Sequence, residues 1–178
     1  ALLLPKDDPN SPFAPRVDGS QVKARPPGLC TGCPERPIFS ALKLAERETG
    51  VQHHISADIG CHLFSINEPF NLGATTMGYG LGSAGASALS CAGANRPAIG
   101  VMGDGGFWHN GLTSGIGNAV FNEADQVVLV VDNAYSAATG GQDVLSSLAD
   151  NPIRSTQHPI ERAVRGEVAF GYEDGTQV

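Results

Sequence analysis

An aspartate set among glycines, Gly103-Asp104-Gly105-Gly106, is followed by Asp132-Asn133, with twenty-six residues between Gly105 and Asp132. An apolar run leads into each: Pro97-Ala98-Ile99-Gly100-Val101-Met102 and Gln126-Val127-Val128-Leu129-Val130-Val131. A carboxylate and a carboxamide oxygen are hard donors of the kind Mg2+ takes. That ion accepts few protein ligands and completes its octahedron with phosphate oxygens and water. The glycines leave backbone N–H groups free to face an anion, and a helix starting behind them adds its positive end. The chemistry this implies is a Mg2+–diphosphate site. Taken singly, a Gly-Asp-Gly is often a turn and an Asp-Asn after a strand a helix cap. Their spacing, at two consecutive strand ends, favours the joint reading.

Other reactive side chains are fewer. Cys30-x-x-Cys33, with Cys61, suggests metal or redox chemistry in a cytosolic chain, although a zinc site lacks a second close pair. Cys91 reads as a buried packing cysteine. His62 and His109 directly follow the two candidate ligand-facing segments. Imidazole titrates near neutral pH, so both are candidates for proton handling or substrate contact, with plain hydrogen bonding as the alternative. His53 and His54 read as strand residues, and His158 as a surface loop residue. Trp108 either lines a pocket or packs under the glycine turn.

The elements that must position these residues follow from pattern. Pro37 suits a first helical turn, and Ile38, Ala41, Leu42, Leu44 and Ala45 make an apolar face that ends at Gly50. Val51 to Ile59 reads as a strand ending at Asp58-Ile59-Gly60-Cys61. Gly73 to Gly93, rich in Gly, Ala and Ser, reads mostly as a close-packed helix. Its Gly80-x-Gly82-x-x-Gly85 matches a dinucleotide fingerprint but lacks, on this reading, the strand that must come before it. A helix is expected from about Asn110 to Glu123. The run from Gln126 to Val131 suits a parallel strand buried on both faces. Residues 97–133 then make a strand–helix–strand crossover, which brings both strand ends to one sheet edge, where open α/β sheets bind ligands. Asp104 itself is expected on a surface-facing turn.

The 178 residues suit one domain. A net charge of −7 argues against a nucleic-acid partner, which needs a basic face. No apolar run is long enough to span a bilayer, and Ala1-Leu2-Leu3-Leu4-Pro5 is too short for a signal core. These features point to a cytoplasmic protein. Residues 1–28, with six prolines, read as a linker or arm.

The motifs resemble a known family. Gly103-Asp104-Gly105 followed by Asp132-Asn133 is similar to the thiamine diphosphate motif, with Asp132 in place of a first asparagine. The segment Asp132-Asn133-Ala134-Tyr135-Ser136-Ala137-Ala138-Thr139-Gly140-Gly141-Gln142 resembles the one that follows this motif in 2-oxoacid:ferredoxin oxidoreductases. Leu29-Cys30-Thr31-Gly32-Cys33-Pro34 and Asp58-Ile59-Gly60-Cys61 resemble two further segments of that family. Phe107-Trp108-His109 and His158 to Gly166 are similar to its indolepyruvate branch. The resemblance covers roughly residues 27–166, leaving 167–178 as a divergent tail. It implies an α/β fold of three layers, a mostly parallel sheet flanked by helices, incomplete at its C-terminus.

The resemblance also implies roles. Asp104, Asn133 and the main-chain oxygen of Tyr135 would hold Mg2+. Gly103, Gly105 and Gly106 would contact the diphosphate, Ile59, Gly60 and Cys61 would lie near the cofactor rings, and Thr139 and Gly140 would close over the phosphates. The activity implied is oxidative decarboxylation of a 2-oxoacid to acyl-coenzyme A, with electrons passing to ferredoxin. The cofactor supplies that chemistry and the protein orients it. A second domain or subunit would supply the glutamate that activates the cofactor, so the chain is expected to work in an oligomer. Cys30, Cys33 and Cys61 resemble three ligand positions of a [4Fe–4S] cluster in related enzymes, and such a cluster wants four thiolates. A non-oxidative thiamine-dependent decarboxylase or synthase, or a non-catalytic thiamine-fold subunit, are the alternatives.

Overall fold

The computed structural model describes residues 27–171, so nearly all of the expected arm and most of the expected tail lie outside it. Helix α1 (Glu35–Thr49) begins two residues before Pro37 and ends at Gly50, whose left-handed φ of 71° lets its N–H reach the Glu46 carbonyl. Four strands, β1 (His54–Ala57), β2 (Gly73–Thr76), β3 (Ala98–Gly103) and β4 (Gln126–Val131), form a sheet in the order β2-β1-β3-β4. All three pairings are parallel. The chain leaves β1 towards β2 on one side, while β3 leads to β4 on the other. The strand order therefore switches direction between β1 and β3, which opens a crevice at their carboxyl ends.

Alternation along the strands produces the layers. Ile55, Ile99 and Val101 bury against Phe39 of α1, Phe70 and Leu72, with Leu129 packed alongside. The opposite face receives α2 (Gly82–Cys91) and the long helix after β3. There Met102, Phe107 and Ile116 pack with Val128 and Val130 and with Ile160, Ala163 and Val164 of α4 (Ile160–Gly171). A side chain at Gly100 would run into the Ser83 backbone, so this glycine lets α2 press onto β3. The expected three-layer α/β fold is what forms.

Four details correct the sequence-based expectations. Residues 73–93 are not mostly helix. Thr75 and Thr76 continue a strand, β2, and α2 starts only at Gly82 after a loop whose Gly80 has a φ of 80°. A strand and a turn therefore do precede the fingerprint glycines. Those glycines are nevertheless occupied: a Cβ on Gly82 would collide with the Val101 carbonyl and one on Gly85 with Ser56 Oγ. They serve helix–sheet contact. Secondly, no loop separates Asp104 from the next helix, here called α3. It is α-helical at Asp104–Gly106, π-helical over Phe107–Gly117 and α-helical again at Asn118–Phe121. Wide π turns are uncommon and recur at functional sites. Thirdly, β4 is half-exposed, Val127 strongly so, because among the described residues it pairs only with β3. Lastly, Cys91 is exposed, at the solvent end of α2. Helix α4 crosses the expected boundary at Gly166.

Candidate functional site

The carboxyl ends of β1, β3 and β4 border one cleft. Its lining includes Ile59, Gly60, Cys61 and His62 after β1, Gly103 to Gly106 after β3, and Asn133, Tyr135 and Ser136 after β4. Glu35, from the first turn of α1, and Tyr79, from the β2–α2 loop, complete it.

At the β3–β4 end, Asp104 is 2% exposed, which corrects the expectation of a surface-facing turn: helix α3 begins at this residue and closes over it. Its Oδ1 accepts the Gly105 N–H at 2.7 Å and its Oδ2 the Asn133 N–H at 3.2 Å. Asn133 Oδ1 accepts the Tyr135 N–H at 3.4 Å, and Asp132 Oδ1 the Ala134 N–H at 3.0 Å. Both side-chain turns fold the chain back over the cleft. Burial pushes the Asp104 carboxyl up to about 6; the nearby Asp132 carboxyl adds to this, and the Gly105 and Asn133 N–H groups oppose it.

The β1 end is built differently. Asp58, fully buried, binds His62 Nε2 through Oδ1 and accepts the Gly80 N–H through Oδ2 at 2.7 Å. The Gly80 N–H, just ahead of α2, is thus already taken by a carboxylate. His62 Nδ1 lies 3.9 Å from Glu35 Oε1, so the imidazole is enclosed between two carboxyl groups. Glu35 is 6% exposed and its Oε2 has no hydrogen-bond partner. Desolvation raises its carboxyl above the ordinary range, and Asp58 adds to this while His62 opposes it. Burial likewise raises the Cys61 thiol, with smaller contributions from Glu35, Cys33 and Cys30.

Residues 58–166 match the family described as thiamine pyrophosphate enzyme, C-terminal TPP binding domain. The chain belongs to this family. It is also similar to proteins named indolepyruvate oxidoreductase subunit IorA. The one from Methanothermobacter marburgensis is 32% identical over 71% of this chain. Those from Methanothermobacter thermautotrophicus and Archaeoglobus fulgidus are 34% and 37% identical over 70% and 69%. The chain spans about a fifth of the length of these curated relatives.

The thiamine pyrophosphate-binding domain has a cleft suited to a diphosphate and its metal. A Cβ at Gly105 would collide with Tyr79 Oη, and one at Gly106 with Asp58 Oδ2, so these glycines let the β2–α2 loop and Asp58 close against the start of α3. The donor set of Asp104, Asn133 and the Tyr135 carbonyl is all oxygen, as Mg2+ prefers. Among the described residues no group of three or more His, Cys, Asp or Glu side chains is arranged to hold a metal, so the expected ligands Cys30, Cys33 and Cys61 are not gathered as a cluster site; the Mg2+ set contains only one residue of those types.

Most of the expected site residues converge here. Ile59, Gly60, Cys61, His62, Gly103, Asp104, Gly105, Gly106, Asn133 and Tyr135 all line the cleft. Thr139 and Gly140 do not; the lining stops at Ala138. Thr139 connects to it through Ser136 Oγ at 3.0 Å. His109 is exposed and packs against the Tyr79 ring at 5.1 Å. Trp108 turns the other way, donating to Ser146 Oγ at 3.0 Å. The sequence-based reading missed Glu35, Tyr79 and Ser136 as cleft residues. Glu35, two residues past Cys33 and ahead of an apolar helix face, and Ser136, inside the segment that follows Asp132-Asn133, carried some signal. No helix is long and apolar enough to cross a membrane among the described residues.

Proposed function

We propose that this chain is the thiamine diphosphate- and Mg2+-holding part of a 2-oxoacid:ferredoxin oxidoreductase of the indolepyruvate type. The observation that supports it best is the bond from the Asn133 N–H to Asp104 Oδ2, which ties the ends of two neighbouring parallel strands together at the switch-point crevice. Asp104, Asn133 and the Tyr135 carbonyl would hold Mg2+, and the glycines at the start of α3 would admit the diphosphate. Bound there, thiamine diphosphate would supply the nucleophilic carbon that attacks a 2-oxoacid and takes up the electron pair left when carbon dioxide departs. The chain's own contribution is orientation and shielding. Ile59, Gly60 and Cys61 border the end of the cleft away from the metal ligands. Asp58 and His62 fix that wall, and Glu35 offers one unpaired carboxyl oxygen beside it.

The substrate class, an arylpyruvate such as indolepyruvate, rests on the names of the similar proteins. Coenzyme A would take the acyl group and ferredoxin the electrons. A [4Fe–4S] cluster built on Cys30, Cys33 and Cys61 would need a fourth thiolate, and Cys91 lies exposed on α2, away from the cleft lining. A second domain or subunit would supply the activating glutamate. The segment following the cofactor loop suits such contact, because Leu145, Leu148 and Ile153 are exposed there.

Calorimetric titration tests this reading, using the complete protein with its co-expressed partner chains. Thiamine diphosphate should bind with Mg2+ present and lose most of its affinity in a chelator. Equal binding in both conditions, or none in either, would overturn it.

A further inference from the structure

One side chain from outside the metal-ligand segments joins three parts of the cleft. Tyr79 lies in the β2–α2 loop, and its hydroxyl is 2.8 Å from Ser136 Oγ, fifty-seven residues away in sequence. Ser136 Oγ is in turn 3.0 Å from Thr139 Oγ1, which donates to Gln142 Oε1. Each hydroxyl has one proton to give. With the Thr139 proton on Gln142, Thr139 accepts from Ser136, and Ser136 accepts from Tyr79. The chain of bonds therefore starts at the phenol and runs outward along the 134–142 loop. It starts directly above Gly105: a Cβ there would collide with Tyr79 Oη and stand 2.8 Å from Ser136 Oγ. The ring's other contact is the His109 imidazole, at 5.1 Å and 60°, so the phenol is braced from α3 as well.

We propose that Tyr79 is a positioning residue for the diphosphate. It holds the 134–142 loop, through Ser136, against the Gly105 turn where the phosphates must lie. This rests on the thiamine diphosphate reading above and extends it to a residue outside the strand–helix–strand unit that carries the metal ligands. The phenol hydroxyl touches both the turn and the loop, so cofactor affinity and loop order should depend on it together. Because the loop also provides the Tyr135 carbonyl and follows Asn133, loosening it disturbs the metal ligands without removing any of them.

The substitution Tyr79→Phe removes only the hydroxyl and keeps the ring on His109. In the complete protein with its partner chains, Y79F should bind thiamine diphosphate with Mg2+ about tenfold more weakly. Hydrogen exchange across residues 134–142, slowed by cofactor in the wild type, should stay fast in Y79F at saturating cofactor. Ser136→Ala should reproduce both effects, and Y79F/S136A should be no worse than either single variant, because the two hydroxyls act as one unit. Unchanged affinity with wild-type loop protection in Y79F would overturn the proposal, as would additive losses in the double variant. A wild-type protein that fails to bind thiamine diphosphate would instead overturn the cofactor reading and this inference with it.

Discussion

Asp58 follows β1 and Asp104 stands at the end of β3; both are almost completely buried, Asp104 lining the cleft and Asp58 holding His62, which lines it. Their partners differ. Asp58 meets an imidazole and a main-chain N–H from two separate elements, the 3-10 helix Cys61–Ile66 that follows it and the β2–α2 loop. Its two oxygens are matched, one by a group able to carry positive charge, and it works as an internal clamp. Asp104 meets only neutral N–H groups, and a second carboxylate, Asp132, lies close by. A buried carboxylate with like charge beside it and no cation is poorly compensated, and a divalent ion is the simplest complement. Two aspartates on neighbouring strands of one sheet edge thus have different surroundings, and the proposed roles follow from them.

Substitutions at the two aspartates should separate these roles. The largest effect is expected on folding. Asp58→Ala leaves His62 and the Gly80 N–H buried without their partner, and breaking a buried pair in this way costs about 3–5 kcal/mol. Denaturant unfolding of D58A would show it, and a near-wild-type midpoint would break the contrast. Asp104→Ala should act on binding instead. Altering groups that merely support metal ligands costs about 10–100-fold, so losing the charged ligand itself should weaken Mg2+-dependent thiamine diphosphate binding by about a hundredfold or more. Asn133→Ala removes a neutral ligand and should cost less, about tenfold. Calorimetry on the two variants checks the order, and a reversed order would contradict the assignment.

The smallest effect is a pH dependence. Asp104 titrates at about 6 in the folded chain, above its ordinary value of 3.8. The folded state therefore favours the protonated carboxyl. That contribution to stability is complete below about pH 4 and is lost as pH rises through about 6. Mg2+ needs the ionised form, so its affinity should run the opposite way, falling as pH drops through the same window. Melting curves of wild type and Asp104→Asn, compared in chelator across this range, isolate the group. The wild type should lose ground to D104N as pH rises, and a constant difference would refute the shift.

The spacing from Gly103-Asp104-Gly105 to Asp132-Asn133 was enough to read the strand–helix–strand unit and the meeting of its ends, because a parallel crossover leaves little freedom there. The layered fold was legible for the same reason. Between residues 73 and 93 the pattern misled: small residues carry no helix or strand period, and pairing with β1 decided that Gly73–Thr76 is a strand. The half-exposure of β4 depends on what lies beyond it, which its own apolar run does not encode. Tyr79 was invisible as a site residue because its role comes from a contact fifty-seven positions away in sequence.

Asp104 and Asn133 are proposed to hold the metal of a thiamine diphosphate site. Crystals of the complete protein grown with thiamine diphosphate and Mn2+ would test it directly by anomalous diffraction. One strong peak is expected between the Asp104 carboxylate, Asn133 Oδ1 and the Tyr135 carbonyl, at roughly 2.1–2.2 Å from each oxygen and in contact with the diphosphate. Thiamine diphosphate bound in the cleft with its metal on other residues, or a manganese peak away from Asp104, would contradict the account.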